Sequence, residues 1–309
     1  MALLSVVVPC YNEEEMIRIF YDALVKVLKT LKDMNHEIIF INDGSKDRSL
    51  EEMVALHNEH PDTVKVIDFS RNFGKESAFL AGLRAAKGDY VTVMDVDLQD
   101  PPEYIPKMFE VMEKNDDDIV GSRRVTRKGE PAIRSFFARS FYKIINKMSE
   151  IQIVDGARDF RLMKRHVVDA ILQLKEYGRF AKGMFVWVGF KAEYLEYENV
   201  ERAAGETSWS FWKLFRYALD GIIEYTNFPL RIAAWVGSFL TIIMTIELIV
   251  LLVLSIMGIV INSTSLIISL ILFMGGVIML AIGIVGEYLA KTYNEVKGRP
   301  HYIIKKTYE

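Results

Sequence analysis

A single cysteine, Cys10, stands among 309 residues, so no intrachain disulfide can staple the fold and a packed core has to hold it together. Net charge is equally scarce. The 38 lysines and arginines against 41 aspartates and glutamates leave −3, which gives no whole-molecule attraction to nucleic acid. An anionic partner must therefore be met by local basic clusters. No internal repeat and no low-complexity segment is present, which excludes solenoid and array architectures. Residues 1–9 are apolar but lack a basic leader region and turn polar at Tyr11, so they are expected to form a buried strand and not a secretory signal.

Apolar residues make up 51% of the chain, and the mean hydropathy is +0.15. The excess collects in two runs. Residues 232–257 hold one ionisable side chain, Glu247, and residues 265–285 hold none. A membrane-spanning helix needs about 20 mostly apolar residues, so both runs qualify, whereas a helical hairpin buried in a soluble core would average about 11–12 residues per helix. The connection 258–264 carries no charge. Lys213, Arg216 and Arg231 precede the first run, and Lys291, Lys297, Arg299, Lys305 and Lys306 follow the second. The excess of lysine and arginine on these flanks places both ends in the cytoplasm. Glu247 facing lipid at mid-bilayer would cost about 2.5–3.5 kcal/mol, so it is expected to face a helix neighbour. Gly276 and Gly283 share a helix face and would allow close backbone approach there.

Four segments are predicted in full from the soluble part: strands at residues 3–8, 37–41, 64–69 and 90–94, with Ile119-Val120 the core of a fifth. Helices are predicted between them at 13–31, with Asn12 as N-cap, and at 46–57 and 76–86. Strands alternating with helices imply an α/β fold with a doubly wound, mostly parallel sheet, in which ligands sit beyond the carboxyl ends of the strands. Those ends are rich in polar residues. Past Gly121, residues 122–130 are basic and loop-like. Residues 132–148 and 211–228 read as amphipathic helices mixing aromatics with arginine and lysine, suited either to the membrane interface or to packing on the soluble core. The resulting organisation is a catalytic domain over 1–208, a juxtamembrane helix over 209–230, two membrane helices within 231–290, and a basic tail over 291–309.

Asp95, Asp97 and Gln99 follow directly on the apolar strand 90–94. In extended chain, residues two apart share a face, so the three side chains would converge. Two carboxylates and an amide oxygen suit a hard divalent cation, Mg2+ or Mn2+, which would bridge a diphosphate, although a lone Asp-x-Asp also arises by chance or as capping. Asp100-Pro101-Pro102 then turns the chain away. Tyr11 offers a ring to a base. Asn12, Glu13 and Asp43 offer hydrogen-bonding groups to a nucleotide, with helix capping as the alternative for Asn12 and Asp43. Residues 71–75 open a helix, and their amides with Lys75 are placed to meet phosphate.

Taken in order and spacing, Pro9-Cys10-Tyr11-Asn12-Glu13, Asn42-Asp43-Gly44-Ser45, Asp95-Val96-Asp97-Leu98-Gln99-Asp100-Pro101-Pro102 and Gly121-Ser122-Arg123 resemble the GT-A fold family 2 glycosyltransferases. The branch is that of the dolichol-phosphate mannosyltransferases and bactoprenol glucosyltransferases. The match extends through residues 201–207 and 220–231 to the two-helix anchor. The resemblance implies that Pro9, Tyr11, Glu13 and Asp43 hold the nucleotide, and that Asp95, Asp97 and Gln99 serve metal and diphosphate. It also implies that Arg123, Arg134 and Arg202 grip an acceptor phosphate, and it favours self-association into a homo-oligomer. A Gln-x-x-Arg-Trp motif of processive polysaccharide synthases is absent, which favours transfer of one sugar.

The implied reaction is inverting transfer from a nucleotide-sugar, UDP-glucose as first expectation, to a polyprenyl phosphate at the cytoplasmic face of a bacterial inner membrane. A phosphomonoester has a second pKa of about 6, so the acceptor needs no base to become a nucleophile. Asp159, in Arg158-Asp159-Phe160-Arg161, is the best further acid, with an ion pair to Arg158 or Arg161 as its alternative role. Two rivals stay open at this point: transfer to another lipid or to a polysaccharide, and a non-enzymatic membrane scaffold or flipping subunit.

Overall fold

A computed structural model describes residues 1–124, 146, 152–197, 223, 226, 228–257 and 264–309. Most of both amphipathic stretches, 132–148 and 211–228, together with Arg134 and Arg202, lies outside the described residues. Two compact units are resolved, Met1–Gly221 with Arg299–Glu309, and Ile222–Gly298.

The first unit is built on β1 (Ala2–Cys10), α1 (Ile17–Leu28), β2 (Met34–Asn42), α2 (Ser49–Glu59), β3 (Val64–Phe69), α3 (Lys75–Ala85), β4 (Tyr90–Val93) and α4 (Tyr104–Asn115). β5 (Ile119–Arg124), β6 (Ala157–Lys164), α5 (Arg165–Gln173), α6 (Ala181–Trp187) and β7 (Ala192–Tyr197) follow. Eight strands form one sheet in the order β7-β5-β6-β4-β1-β2-β3-β8, where β8 is Ile304–Tyr308. β3, β2, β1 and β4 are mutually parallel, as are β5 and β7, while β6 runs antiparallel to β4 and β5, and β8 antiparallel to β3. This is the mixed but mostly parallel α/β sheet of a GT-A-like fold.

Period-two alternation in β1 explains how the sheet is covered. Leu4, Val6 and Val8 enter one core with α1, α2 and α4, whereas Val7 enters the other with α3, α5 and α6. Each fully buried side chain of this kind contributes about 1.5–3 kcal/mol. α3 lies so close on β1 that a Cβ on Gly82 would sit 2.1 Å from Val7 Cγ1. That contact fixes where the first residue of α3, Lys75, is held.

The chain runs β1, β2, β3 to one side and then returns to β4 on the other side of β1. A topological switch point therefore falls between β1 and β4, where such sheets bind ligands. Cys10 lies opposite Asn42 in the β1–β2 ladder, so both strands end at one level.

Several sequence expectations need correction here. α1 begins at Ile17, not at residue 13, because Asn12 adopts φ 56° and turns its side chain elsewhere. β6 escaped prediction because Arg158, Asp159 and Arg161 make it read as a loop, yet Arg161 is only 2% exposed. Residues 304–308, expected in a basic tail, form the edge strand β8 of the catalytic sheet.

The second unit consists of α7 (Phe228–Ile256) and α8 (Thr264–Lys297), which pack against each other. α8 continues past the apolar run through Glu287 and Lys291, because backbone hydrogen bonding persists where side chains become polar. Among the described residues, one helical segment, Phe273–Lys297 with mean hydropathy 1.8, is long and apolar enough to cross a membrane. α7 contributes the shorter apolar stretch Trp235–Glu247. Trp235, Phe239, Ile246, Ile271 and Met279 are exposed, and a Cβ on Gly276 or Gly283 would meet nothing within 4 Å.

Candidate active site

The end of β4 delivers the acidic segment, but not as extended chain. After Val93 the backbone turns, and Leu98 takes φ 55°. The alternation that would align Asp95, Asp97 and Gln99 on one face is therefore replaced by a compact turn. Within it Asp97, only 6% exposed, accepts the Gln99 amide at 3.1 Å.

Lys75 links this turn to β6. Its ammonium donates to Asp95 at 2.8 Å and to Asp159 at 2.8 Å. The residue expected on phosphate is thus the shared counter-ion of two carboxylates, and Asp159 pairs with neither Arg158 nor Arg161. Burial alone would push the Asp159 carboxyl up, but Lys75, with Lys182 and Arg161 behind it, holds it well below the usual carboxylate range. Burial likewise works against the Lys75 ammonium, and Asp159 and Asp95 outweigh it, raising the group well above the ordinary lysine value. The Lys75 side chain is still 36% exposed, so the cluster opens at the rim of the sheet and solvent screens part of this attraction.

Beneath the cluster lies a network that sequence inspection missed. Asp100, 1% exposed, accepts from Arg158 Nε at 3.1 Å and from the Tyr197 hydroxyl. Arg158 Nη2 also donates to Gln99 Oε1 at 3.3 Å, tying the turn to β6 and β7. Arg161 donates to the backbone oxygens of Asp159 and Arg158 and lies 3.5 Å from the Phe185 ring centre. Burial pushes its guanidinium below the ordinary value. The available signal was composition: two arginines flanking an aspartate and interleaved with Phe160 and Leu162 require buried partners.

The neighbouring strand ends form a second cradle. Asp43, 4% exposed, accepts the amides of Phe73 at 2.7 Å and Gly74 at 3.0 Å, so its carboxylate holds the loop before α3. Gly44, at φ 66°, touches that loop so closely that a Cβ would lie 2.4 Å from the Arg71 carbonyl carbon. Asn12 caps no helix. Its side chain accepts from Lys46 N at 2.8 Å and its amide donates to Ser45 Oγ at 3.0 Å. Glu13 donates its amide to Ser49 Oγ, Pro9 lies opposite Ile41 in the ladder, and Tyr11 is 40% exposed beside them. Pro9, Tyr11, Asn12, Glu13 and Asp43, the residues expected to hold a nucleotide, thus lie at and just beyond the carboxyl ends of β1 and β2.

Arg123 stands at the end of β5, donating to Asp155 O at 3.0 Å and pairing with Glu196 at 3.3 Å. Arg134 and Arg202, the other two residues expected on the acceptor, fall outside the described residues. Among the described residues, no group of three or more His, Cys, Asp or Glu side chains gathers to hold a metal ion. The oxygens of Asp95, Asp97 and Gln99, which here meet Lys75, the Gln99 amide and Arg158, are still the hard donors that Mg2+ or Mn2+ prefers. By donor chemistry the residues fit such an ion.

The chain is similar to known proteins along most of its length. Residues 5–172 match the family model described as glycosyl transferase family 2. The chain is 42% identical to the prophage bactoprenol glucosyl transferase homolog of Escherichia coli (strain K12), covering 98% of each chain. It is also 42% identical to the bactoprenol glucosyl transferase of Shigella phage SfII, over 99% of this chain and 98% of that one. A putative glycosyltransferase of Bacillus subtilis (strain 168), CsbB, is 41% identical over 98% of this chain and 92% of its own length. A solved mannosyltransferase from Pyrobaculum calidifontis, in complex with GDP-Man and Mn2+, superposes with a TM-score of 0.48 at 20% identity, covering 69% of this chain and 60% of that one. From the family match and these near full-length relatives, the chain belongs to glycosyl transferase family 2 and is a glycosyltransferase.

Proposed function

We propose that this enzyme moves one sugar, glucose from UDP-glucose, onto a polyprenyl phosphate at the cytoplasmic face of the membrane, inverting the anomeric carbon. One observation carries the reading. The likeness to bactoprenol glucosyl transferases does not stop at residue 172 but covers 98% of both chains, helices included. An acceptor with a long hydrocarbon tail calls for a lipid-facing unit as well as a catalytic one, and α7 and α8 carry exposed apolar side chains. α7 and α8 are read as the spanning hairpin, with both termini cytoplasmic.

The acceptor phosphate, largely dianionic near pH 7, attacks the anomeric carbon through an oxygen. The bond to the departing nucleoside diphosphate breaks, and that diphosphate leaves with the electron pair. Asp95, Asp97 and Gln99 would hold the divalent cation, Mg2+ or Mn2+, which when bound neutralises charge on the departing diphosphate. Lys75 keeps Asp95 and Asp159 at fixed separation, so Asp159 is positioned to orient the acceptor or a donor hydroxyl. Tyr11, Asn12, Glu13 and Asp43, with Pro9, shape the nucleotide pocket. Arg123, with Arg134 and Arg202, meets the acceptor phosphate, since bringing two anions together needs cations on both sides.

Purified enzyme is to be screened with UDP-glucose, UDP-GlcNAc and GDP-mannose against undecaprenyl phosphate, with Mg2+, Mn2+ or chelator. A product labile to mild acid, formed only with metal, is expected. Transfer to diacylglycerol or ceramide instead, or none to any lipid phosphate, would overturn the reading. Arg202→Ala is expected to raise KM for lipid phosphate more than for nucleotide-sugar, and the reverse would remove it from the acceptor site.

A further inference from the structure

We propose that residues 302–305 of the C-terminal segment form a positioning element of the donor-nucleotide site and not only a cover for the sheet edge. The inference rests on the nucleotide pocket assigned above.

Any strand laid on an exposed edge protects it from aggregation, and β8 does this for β3. The contacts of this segment, however, extend past the strand into the loop that follows. The ladder shifts register between Asp68 and Phe69, and Ser70, beyond the end of β3, donates its amide to Ile303 O at 3.0 Å. The Tyr302 ring stacks on Phe69 with centroids 5.0 Å apart and planes 10° from parallel. Phe69 in turn meets Phe73 edge to face at 5.8 Å, and Arg71 caps the outer face of Phe73 at 4.0 Å. Phe73 is the residue whose amide donates to Asp43 at 2.7 Å. A file of three aromatic rings therefore runs from the C-terminal segment to the loop that Asp43 holds. From α3, Arg84 fixes the outer ring by donating to the Tyr302 hydroxyl at 3.3 Å.

A second path reaches the other half of the cradle. Lys305 pairs with Asp68 at 3.7 Å, and Asp68 accepts from Asn42 Nδ2 at 2.7 Å. Asn42 Oδ1 accepts the Ser45 amide, and Ser45 Oγ accepts the Asn12 amide. Lys305 is 66% exposed, so the aromatic file carries more of the coupling. Packed rings cannot close up when one is truncated, so loss of Tyr302 releases Phe69 and then Phe73. Release of Phe73 loosens the loop that Gly44 touches.

The test uses the full chain in detergent. UDP and GDP binding are measured by calorimetry, and amide exchange by mass spectrometry, for wild type, Tyr302→Ala, Tyr302→Phe and Tyr308→Ala. Tyr308 lies at the far end of β8, its ring 6.2 Å from that of His57, and controls for loss of strand pairing. Tyr302→Ala is expected to weaken nucleotide binding about tenfold and to speed exchange across residues 70–74, since small misplacements of binding groups have effects of this order or larger. Tyr302→Phe and Tyr308→Ala are expected to stay within about twofold of wild type. Unchanged nucleotide affinity in Tyr302→Ala, or equal weakening in Tyr308→Ala, would reduce the segment to an edge cover. If wild type binds neither nucleotide, the pocket assignment fails and this inference with it.

Discussion

Two charged clusters sit at opposite ends of the same parallel strands and behave differently. Near the amino ends, Glu37 accepts from Ser5 Oγ at 2.6 Å, from Lys65 at 2.6 Å and from the Lys87 amide at 2.7 Å. One carboxylate meets one ammonium, and its side chain is 5% exposed. At the carboxyl ends, Asp95 and Asp159 share the single ammonium of Lys75 and remain 26% and 22% exposed. The first cluster is neutral, closed and finished by the fold. The second shares one ammonium between two carboxylates at an open rim, with Lys182 and Arg161 also acting on Asp159. Carboxylates that share an ammonium at an open rim, unlike a closed pair, are the candidates for a functional site.

The sharpest way to break this contrast is at the open end. Asp97→Asn preserves the turn by still accepting the Gln99 amide but removes a charge, and transfer should fall about 10³-fold with thermal unfolding unchanged. Near-normal turnover with purified lipid and donor would remove Asp97 from the site. Asp159→Asn leaves Lys75 paired with Asp95 alone and should lower kcat about 10²-fold, read from steady-state kinetics at saturating donor. A variant altered only in stability would make Asp159 an internal counter-ion and nothing more.

The closed end predicts the opposite behaviour. Glu37→Gln should leave kcat intact and destabilise the fold by about 2 kcal/mol at pH 7, because it removes the charge that the half-buried Lys65 ammonium pairs with. Burial favours the neutral acid, but Lys65, Ser5 and Lys87 outweigh it and hold the Glu37 carboxyl below its ordinary value. A group depressed in this way stabilises the fold above the unfolded pKa of about 4.3 and loses that contribution as pH falls through its lower folded value. The gap between wild type and Glu37→Gln in chemical denaturation should therefore be full at pH 7 and narrow below about pH 4. A gap that stays constant with pH would show that Glu37 acts through shape alone.

This contrast also explains what was legible in the sequence. Strands 3–8, 37–41, 64–69 and 90–94 stand out because Val and Ile runs have no competing signal, and β1 to β4 occupy those positions. The motifs at their ends follow from the same regularity. Less could be read where charge and burial coincide. β6 carries Arg158, Asp159 and Arg161 inward, and nothing local announces that Phe185, Lys75 and Asp100 will receive them. β8 was hidden because Lys305 and Lys306 look like a solvated tail, while its pairing partner β3 lies more than two hundred residues earlier in the chain. Asp95, Asp97 and Gln99 were found by spacing, but the extended geometry used to align them gave way to a turn around Leu98. The partners that shape this turn, Arg158 and Tyr197, come from strands that close over it late in the sequence.

The central claim is that the acids beyond β4 hold a divalent cation against the nucleotide diphosphate. Mn2+ titration of the full chain in the presence of UDP, followed by electron paramagnetic resonance, tests it without any turnover. One tightly bound Mn2+ per chain in wild type, lost in Asp97→Asn and retained in Glu37→Gln, is the predicted result. Equal Mn2+ binding by wild type and Asp97→Asn would contradict it.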